Sequence, residues 1–178
     1  MSAIEMLRML DARDVDAYRR LRLEALNDAP TAFGSSYEAE IGQRLSHYRE
    51  RLSHSPENYV LGAWLADVLI GMVGFVRETA AKRAHVGSVW GMYVSPRHRG
   101  RGVGRRLLED VIDRSRRVPG LERLRLTVVS DNEAARRFYE SVGFSAWGSE
   151  PGALKVDGVD YDEIHLGLVL ADSRSRRS

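Results

Sequence analysis

One segment of the chain constrains the fold most, because it joins two strands through a glycine-rich loop and a helix. The apolar run over residues 84–94 predicts a strand, and the loop after it reads SPRHRGRGVGRR over residues 95–106. Leucine, valine and isoleucine at helical spacing predict a helix over residues 102–117, and alternating apolar residues predict a second strand over residues 121–130. A helical crossover of this kind joins parallel strands in one sheet.

Antiparallel strands surround this unit in the predicted order of elements. Their apolar or alternating runs cover residues 4–10, 59–66, 68–77, 144–148 and 163–169. The second and third runs form a meander with the strand at residues 84–94. Pro151 and Gly152 predict a loop over residues 149–155, between the last two strands.

Three more helices are predicted from caps and apolar spacing. The first follows an Asp11 or Asp14 cap and ends near Asn27, where Asp28-Ala29-Pro30 stops it. The other two cover residues 37–52 and, after an Asp131 cap, residues 132–142.

The fold class is therefore α/β with a mixed, mostly antiparallel sheet rather than a doubly wound one. We expect one domain over residues 1–171 and a basic, disordered tail over residues 172–178.

The composition excludes several classes of function. The net charge is only +2, so a general nucleic-acid coat is not supported despite the arginines of the loop. The chain has no cysteine, which excludes disulfides and a cysteine nucleophile. We find no signal peptide and no apolar run of membrane-spanning length, so we expect a cytoplasmic protein without a membrane partner.

The glycine-rich loop has the features of an anion site. Glycines let backbone N–H groups approach a ligand, and the first amides of the following helix lie at the positive end of its dipole. A nucleotide P-loop needs Lys and Ser or Thr after its glycines, but Arg105 and Arg106 follow here. The dinucleotide spacing G-x-G-x-x-G is also absent from Gly100-x-Gly102-x-Gly104. A glycine-rich turn with solvated arginines remains the alternative at this point.

Two motifs together resemble those of the GNAT superfamily of N-acetyltransferases. Residues 99–104 read RGRGVG and resemble its R/Q-x-x-G-x-G/A motif. Residues 132–144 read NEAARRFYESVGF and resemble its N-x-x-A-x-x-x-Y-x-x-x-G-F signature. The element order also agrees with that family over nearly the whole chain. The resemblance implies the GNAT fold, in which one parallel strand pair splays apart and helices cover both faces of the sheet.

The resemblance also implies a set of residues that bind acetyl-CoA. The pyrophosphate would lie on the loop formed by Arg99, Gly100, Arg101, Gly102, Val103 and Gly104, with Arg105 as a neighbour. The pantetheine arm would follow the end of the preceding strand, at Met92, Tyr93 and Val94. Asn132 would face the same arm, although an ordinary residue at a helix start is its alternative role.

Catalysis would use Tyr139 as general acid. A phenol is neutral at pH 7 and can protonate the departing thiolate, although a packed tyrosine is the alternative. Several members of the family have a glutamate base before the loop, where this chain has Ser88 and Val89. The nearest titratable residues are His85 and Glu78, and we take His85 as the candidate base, against the alternative of a partly exposed strand histidine.

The acceptor would bind near the first two helices. Phe33, Tyr37 and Glu38 are the candidate substrate residues, with Glu40 nearby, although acids in the first turn of a helix are common. The implied reaction is direct attack of a primary amine on acetyl-CoA in a ternary complex, the acceptor being a small molecule. A protein N-terminus or lysine, or a non-catalytic acyl-CoA-binding module, is the alternative. No metal is expected, because the histidines lack ligand spacing, and a homodimer is left open.

Overall fold

The computed structural model describes residues 6–170, which form a seven-stranded sheet in the order β1-β2-β3-β4-β5-β7-β6. The strands are β1 (Met6–Met9), β2 (Asn58–Leu65), β3 (Val68–Arg77), β4 (Val86–Val94), β5 (Arg123–Val129), β6 (Ser145–Val156) and β7 (Val159–Val169). Only β4 and β5 pair in parallel, and every other neighbouring pair is antiparallel. The predicted mixed sheet is confirmed.

Within residues 6–170, five α-helices cover both faces of this sheet. They are α1 (Val15–Asp28), α2 (Tyr37–Ile41), α3 (Leu45–Arg51), α4 (Val103–Ser115) and α5 (Glu133–Ser141). Residues of α1 and α3 form one core with side chains such as Trp64 and Met72. On the opposite face, α4 and α5 pack against a second core that includes Phe75 and Leu126. No helix among the described residues is both long and apolar enough to cross a membrane.

Three local predictions were wrong. The predicted helix over residues 37–52 is two helices, because the first ends at a Gly42 C-cap. The predicted loop over residues 149–155 belongs to β6, which continues through an irregularity between Glu150 and Leu154. The N-cap of α5 is Asn132 rather than Asp131, since its side chain accepts a hydrogen bond from the Ala135 amide. The predicted tail and the first two residues of the predicted 4–10 strand lie outside the described residues.

The parallel pair β4–β5 is short, and this opens the sheet. Pairing covers only residues 86–88 of β4 and residues 123–125 of β5. Further along β4, Gly91 has a φ of +61° and the register against β3 shifts between Met72 and Gly74, so β4 carries an extra residue there. Such a bulge bends its strand. The carboxyl half of β4 therefore has no partner on its β5 side.

Candidate active site

A cleft fills the gap between the splayed strands. Its larger part, about 720 Å³, lies against the glycine-rich loop and the start of α4. A smaller part lies between residues 89–92 of β4 and residues 126–129 of β5. The two parts share Phe33, Met92 and Tyr139, so they form one continuous cleft.

The glycine-rich loop presents unpaired backbone amides to this cleft. Gly100 and Gly102 have φ values of +72° and +78°, and a Cβ built on either would have no atom within 4 Å. Among the described residues, no amide from Gly100 to Arg105 donates a hydrogen bond, while the Arg106 amide donates to the Gly102 carbonyl. These amides lie at the amino end of α4, where the dipole favours an anion. The loop therefore fits a phosphate group.

Gly104 has a different role from the other two glycines. A Cβ at this position would lie 3.3 Å from Met92 Cε and 3.6 Å from Phe138 Cζ. The absence of a side chain thus lets the first turn of α4 approach β4 and α5 closely. Val103, beside it, is buried against the same core.

The arginines of the loop are not equivalent. Arg99 donates to Asp28 at 2.5 Å and to the Val94 carbonyl at 2.9 Å, so its guanidinium is already held. Arg105 donates to Ser141 at 2.8 Å. Arg101 is exposed at the loop surface. Of these arginines, Arg101 is therefore the one that fits the solvated arginine of a glycine-rich turn, whereas Arg99 does not.

Tyr139 lies where the two parts of the cleft meet. Its ring contacts those of Phe138 and Phe144, with centroids 5.2 and 6.0 Å away. Burial raises the pKa of Tyr139 to about 12, so the phenol keeps its proton at neutral pH. A protonated hydroxyl beside a cleft is what a general acid requires.

Asn132 caps a helix and also lines the cleft. Its Oδ1 accepts from the Ala135 amide at 3.1 Å and caps α5, while the residue also lines both parts of the cleft. The capping bond uses only the oxygen of the side chain, and the NH₂ group remains available as a donor.

His85 is not brought into the cleft. It precedes β4 at the paired end of the splayed strands, and its carbonyl accepts from the amides of Glu122 and Arg123. At the rise of a β-strand, the distance from His85 to Met92 is about 20 Å. Ser88 likewise lies at the paired end, where its hydroxyl accepts from Arg125 at 3.0 Å. Glu78, the other titratable residue considered, is ion-paired with Arg125.

The candidate acceptor residues divide into two groups. Phe33 lines both parts of the cleft and packs edge-on against Tyr93, with ring centroids 6.5 Å apart. Tyr37 and Glu38 do not line the cleft. The nearby Glu40 cannot hold an amine, because its buried carboxylate is paired with Arg22 at 2.9 Å and with Arg51 at 3.4 Å.

Sequence reasoning missed several residues of the cleft. They include Asp28, Ala32, Trp90 and Thr127. The sequence carries one signal of the position of Trp90, which is the glycine at residue 74 inside a strand. A Cβ at Gly74 would collide with the Trp90 ring on the neighbouring strand. Asp28 was assigned only to a helix end, although its carboxylate reaches the loop across the cleft.

Together, the splayed parallel pair, the unpaired loop amides and the half-buried Tyr139 fit a protein of the acyl-CoA-dependent transferase class. Comparison with known proteins agrees. The model of the acetyltransferase (GNAT) family matches residues 19–144, and the chain belongs to that family.

Relatives with assigned names differ in their acceptors. N-alpha-acetyltransferase RimI of Mycobacterium tuberculosis is 36% identical over 108 residues, which are 60% of this chain and 64% of RimI. L-amino acid N-acetyltransferase AaaT of Escherichia coli is 25% identical over 92% of this chain and 96% of its own length. The chain spans only part of the length of three curated relatives: 64% of RimI, and 30% and 34% of the two others.

Solved structures show the same architecture. The yncA protein of Salmonella typhimurium, determined with its cofactor acetyl-CoA, superposes with a TM-score of 0.79 at 25% identity. The alignment covers 94% of both chains. A GNAT-family acetyltransferase of Streptococcus pneumoniae gives a TM-score of 0.80 at 23% identity, over 92% of this chain and 98% of that one.

Proposed function

We propose that this protein is an N-acetyltransferase that moves the acetyl group of acetyl-CoA to the primary amine of a small molecule. One observation carries the proposal: a single cleft runs from the unpaired amides of the loop to Tyr139 and on to Phe33 and Trp90. Met92 and Tyr139 pack with the core on the α4 side, whereas Phe33 and Trp90 pack with the core on the α1 side. The cleft thus passes through the sheet, and two substrates can meet in it from opposite faces.

Each end of the cleft fits one part of acetyl-CoA. The amides of residues 100–105 would hold the pyrophosphate. The backbone from Met92 to Val94 lies beyond the part of β4 that pairs with β5, so its cleft-facing N–H groups and the Met92 carbonyl fit the amides of pantetheine, while the Val94 carbonyl already accepts from Arg99. The relative solved with acetyl-CoA, yncA, supports this choice of cosubstrate.

The chemical step needs an acid and an oxyanion site. The amine nitrogen attacks the thioester carbonyl, the C–S bond breaks, and Tyr139 donates its proton to the departing sulfur. The N–H of Met92 or Val94 would stabilise the oxyanion. The resulting tyrosinate is strongly basic because burial raises the pKa of Tyr139 to about 12, so it regains a proton readily from the amine by way of water.

No separate base enters this proposal. Among the described residues that line the narrow part of the cleft, none is a carboxylate or a histidine. His85 is left out because it lies at the paired end of the strands. An ammonium acceptor therefore loses its proton to water, or the amine binds already neutral.

The extent of the similarity to AaaT favours a small acceptor, because that match covers nearly the whole of both chains. The similarity to RimI, which is stronger but shorter, favours a peptide amino terminus as the second candidate. A non-catalytic module that only binds acyl-CoA is a third candidate, and the protonated Tyr139 in the cleft argues against it.

The test is release of free thiol from acetyl-CoA with a panel of L-amino acids, polyamines and short peptides. We expect turnover with at least one amino acid or small amine, and loss of turnover in Tyr139→Phe. Turnover of peptides alone would favour the second candidate. Tight binding of acetyl-CoA without turnover of any amine would refute the enzyme and favour the binding module.

A further inference from the structure

Asp28, the last residue of α1, lies at the rim of the cleft and contacts the glycine-rich loop. Its Oδ2 accepts from Arg99 Nη2 at 2.5 Å and from the Tyr93 hydroxyl at 3.2 Å. We infer that Asp28 is a positioning residue for the loop: it fixes Arg99, and Arg99 fixes the loop to the end of β4. This inference rests on the proposed function, because it concerns the loop that would bind the pyrophosphate of acetyl-CoA.

Arg99 is held from three directions. Nη2 donates to Asp28, Nε donates to the Val94 carbonyl at 2.9 Å, and the guanidinium lies 5.4 Å from the centre of the Tyr93 ring. A planar guanidinium that is held at two of its nitrogens has one orientation. Arg99 therefore joins the carboxyl ends of α1 and β4 at the point where the loop begins.

The loop needs this support because its own backbone is loosely determined. Gly100 and Gly102 follow Arg99 directly, and glycine loses more conformational freedom on ordering than any other residue. The amides up to Arg105 have no acceptor among the described residues that would hold them in place. Fixing the start of the loop lowers the entropy that is lost when a phosphate binds.

Tyr93 keeps the carboxylate of Asp28 in position. The residue is only 5% exposed, and its hydroxyl also lies 3.2 Å from Glu24 Oε1. Burial and the two carboxylates raise the pKa of Tyr93, so its hydroxyl remains a donor. Glu24 shares the Tyr93 contact with Asp28, but the hydrogen bonds and ion pair of Arg99 go to Val94 and Asp28 and not to Glu24, which makes Glu24 a matched control.

The two roles open to Arg99 predict changes of opposite sign. If Asp28 positions the loop, removing its charge releases Arg99 and weakens the binding of acetyl-CoA. If Arg99 is instead a phosphate ligand that Asp28 restrains, removing the charge frees that ligand and strengthens binding.

The experiment is calorimetric titration of the full-length protein with acetyl-CoA, for the wild type, Asp28→Asn, Asp28→Glu and Glu24→Gln. Because the ion pair is partly exposed, we expect Asp28→Asn to bind about three- to fivefold more weakly. Glu24→Gln should stay within about twofold of the wild type, and Asp28→Glu should recover part of the loss.

A double-mutant cycle separates this role from general damage to the fold. Asp28→Asn should cost nothing further in an Arg99→Gln background, because both substitutions remove one interaction. Unchanged or tighter binding by Asp28→Asn, or fully additive losses of affinity, would overturn this inference but not the proposed function. A wild-type protein that does not bind acetyl-CoA would overturn the proposed function as well.

Discussion

Gly102 and Gly158 form a pair of glycines that separates backbone strain from ligand binding. Their φ values are +78° and +80°, and a Cβ built on either has no atom within 4 Å. Gly102 lines the cleft at the amino end of α4, whereas Gly158 lies in the turn between β6 and β7. Substitution by alanine therefore imposes the same backbone strain at both positions, but only one methyl group faces the proposed phosphate.

The magnitudes follow from this geometry. A left-handed conformation costs a residue with a Cβ roughly 1–2 kcal/mol, and the loss of glycine freedom in the unfolded chain returns about 0.4–1 kcal/mol. Each variant should therefore lose on the order of 1 kcal/mol of stability, or about 2–4 °C in Tm for a domain of this size. A hydrogen bond to a charged group contributes about 1.5–3 kcal/mol, so loss of one phosphate contact in Gly102→Ala should weaken acetyl-CoA binding roughly 10- to 150-fold.

Thermal melting and calorimetric titration measure the two effects separately. We expect equal decreases in Tm for Gly102→Ala and Gly158→Ala, with weaker binding of acetyl-CoA only in Gly102→Ala. Gly102→Glu should abolish binding, because it adds a negative charge where the phosphate lies. Wild-type affinity in Gly102→Ala, or an equal loss in Gly158→Ala, would refute the placement of the pyrophosphate on the loop.

Three more substitutions test the site and the core. Tyr139→Phe should lower kcat roughly 10²–10⁴-fold in a thiol-release assay while leaving acetyl-CoA affinity unchanged. The proton donor is the protonated phenol, and burial raises the pKa of Tyr139 to about 12. The kcat of the wild type should therefore show no alkaline decline up to about pH 10. Glu40→Gln should cost about 3–5 kcal/mol in urea unfolding, because it leaves a buried arginine uncompensated. The exposed-pair control Asp113→Asn should cost less than about 1 kcal/mol. Gly74→Ala should displace Trp90 and raise the KM of the acceptor more than that of acetyl-CoA, and equal changes in both would contradict the placement of Trp90 on the acceptor side.

The order of strands and helices could be predicted because apolar spacing is a local property. The crossover between β4 and β5 follows from the handedness and length of the connection, so their parallel pairing was also predictable. The sequence-based predictions failed where a tertiary contact overrode a local sequence preference. Proline and glycine at residues 151 and 152 indicated a loop, but β7 pairs with residues on both sides of them and β6 continues through the irregularity. Glu40 was considered for the acceptor site because a carboxylate near Phe33 and Tyr37 could hold an amine, yet Glu40 is buried in an ion pair with Arg22 of a different helix.

The two ends of the cleft differ in how far the sequence can predict them, and the reason is physical. The proposed phosphate end is made of backbone amides, whose direction depends on glycines and on the start of a helix, so a short motif is enough to specify it. The proposed acceptor end is made of side chains that come from distant parts of the chain, such as Phe33 packed on Tyr93 and Trp90 packed over Gly74. A relative named as an N-alpha-acetyltransferase and one named as an L-amino acid N-acetyltransferase both match this chain. This is expected if acetyl-CoA demands the same loop in each of them, while the acceptor is selected by Phe33, Trp90 and Thr127, on which the motifs place no constraint.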